Sequence, residues 1–317
     1  VARRRAAVGA ALGNALAHSA AAKQCGLRLA LHARLMSAAR DAHGLLSSLA
    51  AHGKPPAAEA GRKELLVQEA SQSVGLLKHL LYGGRGAPAA RRACATAGAV
   101  KAFGALWPLA KHEPAVMHEL LGAVANLLAS CSTAKRALLR DAGDTGAGEG
   151  PGVPPPGGSK RSLLAQVVAA ALDPGADTAV FQLALGALQA VATSPDTLPV
   201  LLKGPLVPGV VDVLRTSLLP RPKKDRGAPA RQAAVLRLLT SVASSAAGQR
   251  HVLKSPPLAG ALDLVLDVAA QAKAPADDAM FLLRNLAFAP EAKSHFLSNP
   301  RVVPALLEAA EGAGAGA

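Results

Sequence analysis

The sequence predicts an all-α fold, a solenoid of about six stacked helical repeats. A helix ending recurs along the chain: Leu-Arg-Asn-Leu-Ala occurs at 283–287, and related endings occur at 124–128 and 12–17. Half of the residues are hydrophobic but only 2% are aromatic, which favours a core of Ala, Leu and Val between closely spaced helices. Runs of β-branched or aromatic residues with period-two alternation, typical of strands, do not occur in the sequence.

The repeat length follows from one anchor residue in each helix ending. Asn126 precedes Leu138 by 12 residues, and Asn285 precedes Leu297 by the same 12, so each of these leucines is expected to pack back against the helix before it. The anchors in chain order are Asn14, His79, Asn126, Ala190, Ser241 and Asn285. From His79 onward they are 47, 64, 51 and 44 residues apart, and the base unit falls in the armadillo and HEAT range of about 40–47 residues.

The two long intervals contain segments that are interpreted as inserted loops. The first, 142–160, is rich in Gly and Pro and is expected to be disordered, and the second, 219–230, is rich in Pro, Lys and Arg. The predicted organisation is armadillo-like repeats at 1–141, the first loop at 142–160, a repeat at 161–218, the second loop at 219–230, repeats at 231–311 and a flexible Gly/Ala tail at 312–317.

Sequence motifs provide no reaction centre. Gly83–Gly86 is rich in glycine but follows a helix-like segment, whereas a dinucleotide-binding loop follows a strand, so it is interpreted as a helix stop. His118 and Glu119 lack the second histidine of a zinc protease motif. We therefore expect no enzyme, catalytic residue, cofactor, metal site or small-molecule substrate.

The cysteines and the apolar runs give two further expectations. Cys25, Cys94 and Cys131 lack Cys-x-x-Cys spacing, so buried free thiols in a reducing compartment are expected. Charged residues interrupt every apolar run before about 18 residues, so no membrane span is expected.

Charge is the global property that points to a partner. The chain has 35 Lys and Arg against 21 Asp and Glu, a net charge of +14, which favours an acidic partner such as nucleic acid, an anionic lipid surface or the acidic tails of tubulin. The scarcity of aromatic side chains that could stack on bases disfavours nucleic acid. A short basic cluster supplies four candidate partner-binding residues: Arg221, Lys223, Lys224 and Arg226.

The first 40 residues have two interpretations. They contain no Asp or Glu and are rich in Ala and Arg, as in an organellar transit peptide. However, Leu12–Leu27 already fits the repeat, and the start at Val1 leads us to expect an internal piece of a longer protein.

The helix endings, followed by a break such as Ala97–Val100, resemble armadillo repeats. The resemblance implies three-helix units stacked in a right-handed superhelix. In peptide-binding armadillo proteins, an asparagine on each third helix holds the backbone of an extended ligand, which makes Asn126 and Asn285, with the adjacent Arg284, candidate partner-binding residues. The equivalent asparagine is missing at the three anchors His79, Ala190 and Ser241, and the companion tryptophans are missing as well.

A narrower resemblance is to the C-terminal region of rotatin-like proteins, which are armadillo-type proteins of centrioles, basal bodies and cilia. It is carried mainly by Gly248–Lys254 and Phe281–Phe288 and also by Gln68–Leu81. It implies a non-enzymatic scaffold in the cytoplasm or cytoskeleton, at a centriole, basal body or ciliary axoneme, with tubulin, microtubules or acidic centriolar or ciliary proteins as partners. Two alternatives remain open: a soluble adaptor that binds a peptide in its concave groove, and an organellar RNA-associated helical repeat protein.

Overall fold

The computed structural model describes residues 2–51, 57–144, 162–218, 227–254, 259–269, 275–305 and 307. Every regular element in these ranges is a helix, which confirms the all-α prediction. The helices are α1 (Ala2–His18), α2 (Ala20–Arg28), α3 (Leu31–Ala51), α4 (Ala57–Leu81), α5 (Ala87–Thr96), α6 (Ala99–His112), α7 (Pro114–Leu128), α8 (Ser132–Asp144), α9 (Leu163–Leu172), α10 (Thr178–Ala192), α11 (Leu198–Leu202), α12 (Leu206–Leu218), α13 (Ala228–Val242), α14 (Ala246–Lys254), α15 (Ala259–Ala269), α16 (Pro275–Leu286) and α17 (Pro290–Ser298).

The helix order follows a period of three. The six predicted anchors lie in α1, α4, α7, α10, α13 and α16. We call these the third helices, and we call α2, α5, α8, α11, α14 and α17, which follow them, the first helices. A helix that is apolar on one side cannot bury that side alone, so in a solenoid it stacks on the equivalent helix of the neighbouring repeat.

The chain divides into two compact units, residues 1–167 and residues 168–317. In the first unit, α4 packs against α1, α3 and α7, and α5 packs against α8. Leu77, Leu120 and Phe103 are at most 1% exposed, and Trp107 is also buried. The core is therefore built mainly from aliphatic side chains, as the composition predicts.

In the second unit, α13 packs against α10, α12 and α16. Its buried side includes Leu239 and Val242, and Leu239 lines a small apolar cavity together with Leu282 and Leu286 of α16. The Val-rich run 210–214, although β-branched residues favour strands, lies inside the helix α12.

Glycines with positive φ separate consecutive helices in the first unit. Gly98, between α5 and α6, has φ 84°, and Gly86, just before α5, has φ 90°. Residues other than glycine adopt this left-handed conformation at a steric cost, so glycine is favoured at these chain reversals. The glycine-rich segment 83–86 is therefore a helix stop, as its sequence context indicates.

The helix boundaries differ from the predicted loop boundaries by a few residues. Helix α8 runs to Asp144, and α13 begins at Ala228, so each helix extends three residues into a predicted loop. Residues 145–160 of the first predicted loop and 219–226 of the second lie outside the described residues, as does the predicted tail 312–317.

Two expectations about individual side chains are wrong. Leu297 is 82% exposed, because Ala292 and Phe296, four residues apart on α17, take the buried side and turn Leu297 towards solvent. Cys25 is exposed, because the neighbouring Lys23 and Gly26 occupy the buried side of α2. The other two cysteines are buried free thiols, and burial raises the pKa of Cys94 to about 12.

Candidate interaction surface on the third helices

Within each unit the anchors mark one face of the stacked third helices. Asn14 is exposed, and the other five anchors are half-buried. We call this surface the third-helix face, formed by α1, α4 and α7 in the first unit and by α10, α13 and α16 in the second. It is the surface on which the resemblance to peptide-binding armadillo proteins places a ligand.

The two asparagines predicted to bind a partner also join neighbouring repeats. Asn126 donates from Nδ2 to the carbonyl oxygen of Lys78 at 3.0 Å, and Asn285 donates from Nδ2 to that of Thr240 at 3.1 Å. Lys78 and Thr240 each lie directly before the anchor of the preceding third helix, in its last turn. Carbonyl groups in a last turn lack an intrahelical donor, so each asparagine caps the helix before it.

The anchors that are not asparagine lack this bridge among the described residues. Ser241 instead donates from Oγ to the carbonyl oxygen of Arg237 at 3.0 Å, within its own helix. His79 packs against Gly13 of α1, where an added Cβ would lie 3.1 Å from the imidazole Cδ2. The interruption of the asparagine series predicted from the sequence is therefore a real change in how successive repeats contact each other.

One helical turn before each anchor, the chain has small residues in the first unit. Gly75 precedes His79 by four residues, and Gly122 precedes Asn126 by four, so each pair shares a helix face. A Cβ at Gly122 would lie 2.7 Å from Cδ of Lys78, whose ammonium forms an ion pair of 2.7 Å with Glu119. The glycines leave room for long charged side chains to lie across the third-helix face.

A groove of about 220 Å³ lies between α1, α4 and α7. Its lining is mainly polar or small: Gly9, Ala10, Ser71, Gln72, Gly75, Leu76, His79 and Glu119. Burial, with the nearby Lys78, lowers the pKa of His79, although Glu119 acts in the opposite direction. A neutral imidazole, an amide, a hydroxyl and a carboxylate can all form hydrogen bonds with peptide groups.

The second unit presents a different surface. The Arg284 guanidinium lies 5.2 Å from the centroid of the Phe281 ring, a cation–π contact between two exposed side chains on α16. Arg237 of α13 lies 4.0 Å from Asp278 of α16, and burial raises the pKa of this carboxyl against the effect of Arg237. Two predicted site residues, Arg284 and Asn285, are adjacent on α16. Arg284 is exposed, whereas the side chain of Asn285 donates its hydrogen bond to the Thr240 carbonyl oxygen.

The predicted basic cluster Arg221, Lys223, Lys224 and Arg226 lies outside the described residues. The described residues hold no group of three or more His, Cys, Asp or Glu side chains that could bind a metal ion. No single described helix is long and apolar enough to cross a membrane, although the bent pairs α5–α6 and α7–α8 pass that test when each pair is taken together.

Buried basic side chains on the first helices were not identified from the sequence, and two of them, Lys23 and Arg91, cap the ends of other helices. Lys23 is 1% exposed and donates from Nζ to the carbonyl oxygens of Tyr82 and Gly83, the latter at 2.6 Å. Arg91 donates to the carbonyl oxygens of Leu81 at 3.0 Å and Ala129 at 2.9 Å. Both caps act at the C-termini of α4 and α7, where a positive charge is favoured.

Burial lowers the pKa of both buried cations, and Arg91 further lowers that of Lys23. The sequence signal that could have identified these residues is a basic residue at the fourth or fifth position of a helix that follows a third helix.

A comparison with solved structures supports the fold described above. The chain is similar to a protein described as "Crystal structure of computationally designed armadillo repeat proteins for modular peptide recognition", with a TM-score of 0.59 and 13% sequence identity over 90% of this chain and 94% of that chain. No protein-family model and no curated protein matches the sequence. The likeness confirms an all-α solenoid of the armadillo type.

Proposed function

We propose that this protein is a non-enzymatic armadillo-type scaffold that binds a segment of another protein on its third-helix face. The observation that carries the proposal is the groove between α1, α4 and α7, where His79, Gln72 and Glu119 offer hydrogen-bonding groups beside glycines. The fold shared with armadillo proteins designed for peptide recognition supports it.

The proposed contact with a ligand differs from that of an armadillo protein in which an asparagine of every repeat binds the peptide. Asn126 and Asn285 each use one N–H of the side-chain amide within the chain, and neither lines the groove of the first unit, so that groove relies on other polar groups, chiefly those of Gln72 and His79. Only part of the third-helix face therefore suits an extended peptide, and we expect a short ligand segment.

Selection of random peptides against the full chain tests this proposal. Peptides that bind the parent should bind a Gln72→Ala, His79→Ala variant at least about tenfold more weakly, a loss of about 1.4 kcal/mol. The matched control is Gln24→Ala with His112→Ala, because these exposed residues of the same types lie in the same unit but do not line the groove. Equal binding by both variants would contradict a groove contact.

We further propose that the scaffold acts at a centriole, basal body or ciliary axoneme, in contact with microtubules or with acidic centriolar or ciliary proteins. The resemblance of Gly248–Lys254 and Phe281–Phe288 to rotatin-like proteins supports the place, and the net charge of +14 supports an acidic partner. The test is the position of the full-length tagged protein in a ciliated cell. Accumulation in mitochondria, or a diffuse signal without centriolar enrichment, would contradict this assignment.

A further inference from the structure

The positive charge of the chain is concentrated in its first unit. Residues 1–167 contain 21 Lys and Arg against nine Asp and Glu, whereas residues 168–317 contain 14 against 12. The first unit therefore carries +12 of the total +14. On α4 of the third-helix face, two lysines already have counter-charges, since Lys78 is paired with Glu119 and Lys63 lies 3.4 Å from Glu113.

The register of the first helices places exposed arginines next to one another. Helix α5 packs against both α2 and α8, and each of the three helices buries one basic side chain at an equivalent position: Lys23, Arg91 and Lys135. The residue after each buried cation, and the residue one turn further on, face solvent. These exposed positions are Gln24 and Arg28 on α2, Arg92 and Thr96 on α5, and Arg136 and Arg140 on α8.

We call the resulting patch the first-helix arginine surface and define it by Arg28, Arg85, Arg92, Arg136 and Arg140, all exposed. Arg85 belongs to it because it lies in the short turn directly before α5. The patch therefore spans three consecutive first helices of one unit.

These five arginines have no internal counter-charge in the described part of the chain. None of them donates a hydrogen bond or forms an ion pair there, whereas Arg215, Arg237 and Arg301 of the second unit each pair with an aspartate. The chain has no Asp or Glu between Glu69 and Glu113.

Helix α2 has no acidic residue, and the aspartate that follows Arg140 is already engaged, since the carboxylate of Asp141 accepts a hydrogen bond from the Leu163 amide at 2.8 Å. Among the described side chains no carboxylate therefore neutralises the arginine surface, which is available to an external anion.

The spacing and chemistry of this surface fit an extended acidic peptide. Packed helices lie about 8–10 Å apart, and an extended chain in the polyproline II conformation has three residues per turn and advances about 3.1 Å per residue, so every third carboxylate of such a peptide lies on the same side and can meet a new guanidinium. Guanidinium groups bind carboxylates through paired hydrogen bonds. Helices α2, α5 and α8 contain no aromatic residue that could stack on a nucleobase.

We propose that the first-helix arginine surface binds an acidic, extended segment of a partner protein, rich in Asp and Glu. This surface is separate from the third-helix groove, and the proposal does not rest on the function proposed for that groove. The probe is a fluorescent polyglutamate peptide of about 12 residues, long enough to cross three helices.

The decisive comparison uses two triple charge reversals in the full chain. Arg92→Glu, Arg136→Glu and Arg140→Glu should weaken binding of the polyglutamate peptide at least about tenfold, and the parent's binding should weaken as salt is raised to about 0.15 M. The control changes Arg40, Arg62 and Lys111 to Glu, because these exposed residues of the same unit have the same formal charge but lie on other helices. It should change binding by less than about twofold.

A second variant with glutamine at Arg92, Arg136 and Arg140 should show a smaller loss of binding while circular dichroism confirms unchanged helix content. Equal losses in the reversal variant and its control, or no binding of the peptide at low salt, would overturn the proposal. Tighter binding of a single-stranded oligonucleotide than of the peptide would assign the surface to nucleic acid instead and would also overturn it.

Discussion

The side-chain amide of Asn126 in α7 donates a hydrogen bond of 3.0 Å to the carbonyl oxygen of Lys78 in α4, the preceding third helix. Asn285 makes the same bond to Thr240 at 3.1 Å in the second unit. The recurring helix ending is therefore, first of all, a device that joins successive repeats. It provides a physical reason for an asparagine at this position that is independent of any bound ligand.

Removing this bond should destabilise the protein by a measurable amount. Asn126→Ala deletes one hydrogen bond and leaves a carbonyl at a helix end without its donor, which should lower the free energy of unfolding by about 1 kcal/mol. Asn14→Ala is the control, since Asn14 is an exposed anchor on α1 whose side chain makes no such bond to another described residue, and the change of helix propensity is the same. Urea unfolding that shows the same stability for both variants would contradict the bridging role.

The sequence is sufficient to predict the helices and their repeat, because apolar periodicity and the recurring helix ending are properties of side chains. It cannot indicate that the Lys78 carbonyl is the partner of Asn126, since every residue carries such an acceptor and only packing selects one. The exposed Leu297 shows the same limit, because the rotation of α17 is set by which side chains, here Phe296 and Ala292, find room in the core. The predicted roles of Arg221 to Arg226 remain predictions.

The core position of Leu286 provides a test of the helix phase. Leu286 is 3% exposed and borders a small apolar cavity with Leu239, Val252 and Leu282. A carboxylate there would be buried without a partner, so Leu286→Asp should cost about 3–5 kcal/mol and reduce the yield of folded protein. Leu297→Asp, the same change at an exposed position, should alter stability by no more than about 0.5 kcal/mol in the same denaturation experiment.

His79 should make stability depend on pH. Burial lowers its pKa in the folded chain, so the unfolded chain takes up the proton first as the pH falls through about 6.5. The contribution of His79 to stability is therefore complete above that pH and is lost progressively below it. Chemical denaturation between about pH 7.5 and 5.5 should show stability falling with acidification, with a smaller slope for His79→Gln.

The slope should decrease and not vanish in that variant, because burial also lowers the pKa of His43. An unchanged slope in the His79 variant would show that its imidazole is solvated and does not pack against Gly13 as described.

A contact with the acidic tails of tubulin predicts a salt-dependent sedimentation of the protein with microtubules. Changing Arg221, Lys223, Lys224 and Arg226 to Glu should weaken that sedimentation and leave the helix content unchanged. The effect should be larger at low salt, since exposed charges are screened within about 8 Å at physiological ionic strength. The control changes four exposed basic residues of the first unit to Glu, namely Arg34, Arg40, Arg62 and Lys111, with the same change in net charge.

Comparison with the reversal of Arg92, Arg136 and Arg140 separates the two basic segments. If the cluster at 221–226 is the contact, reversing its charges weakens sedimentation, whereas reversing the first-helix arginines does not. The opposite result assigns the contact to the first unit. Tight sedimentation that ignores both salt and every reversal would reject an electrostatic contact. If the parent does not sediment with microtubules at all, the proposed contact with tubulin is wrong. Scaffolding through other protein partners is then the proposal that the armadillo-type fold still supports.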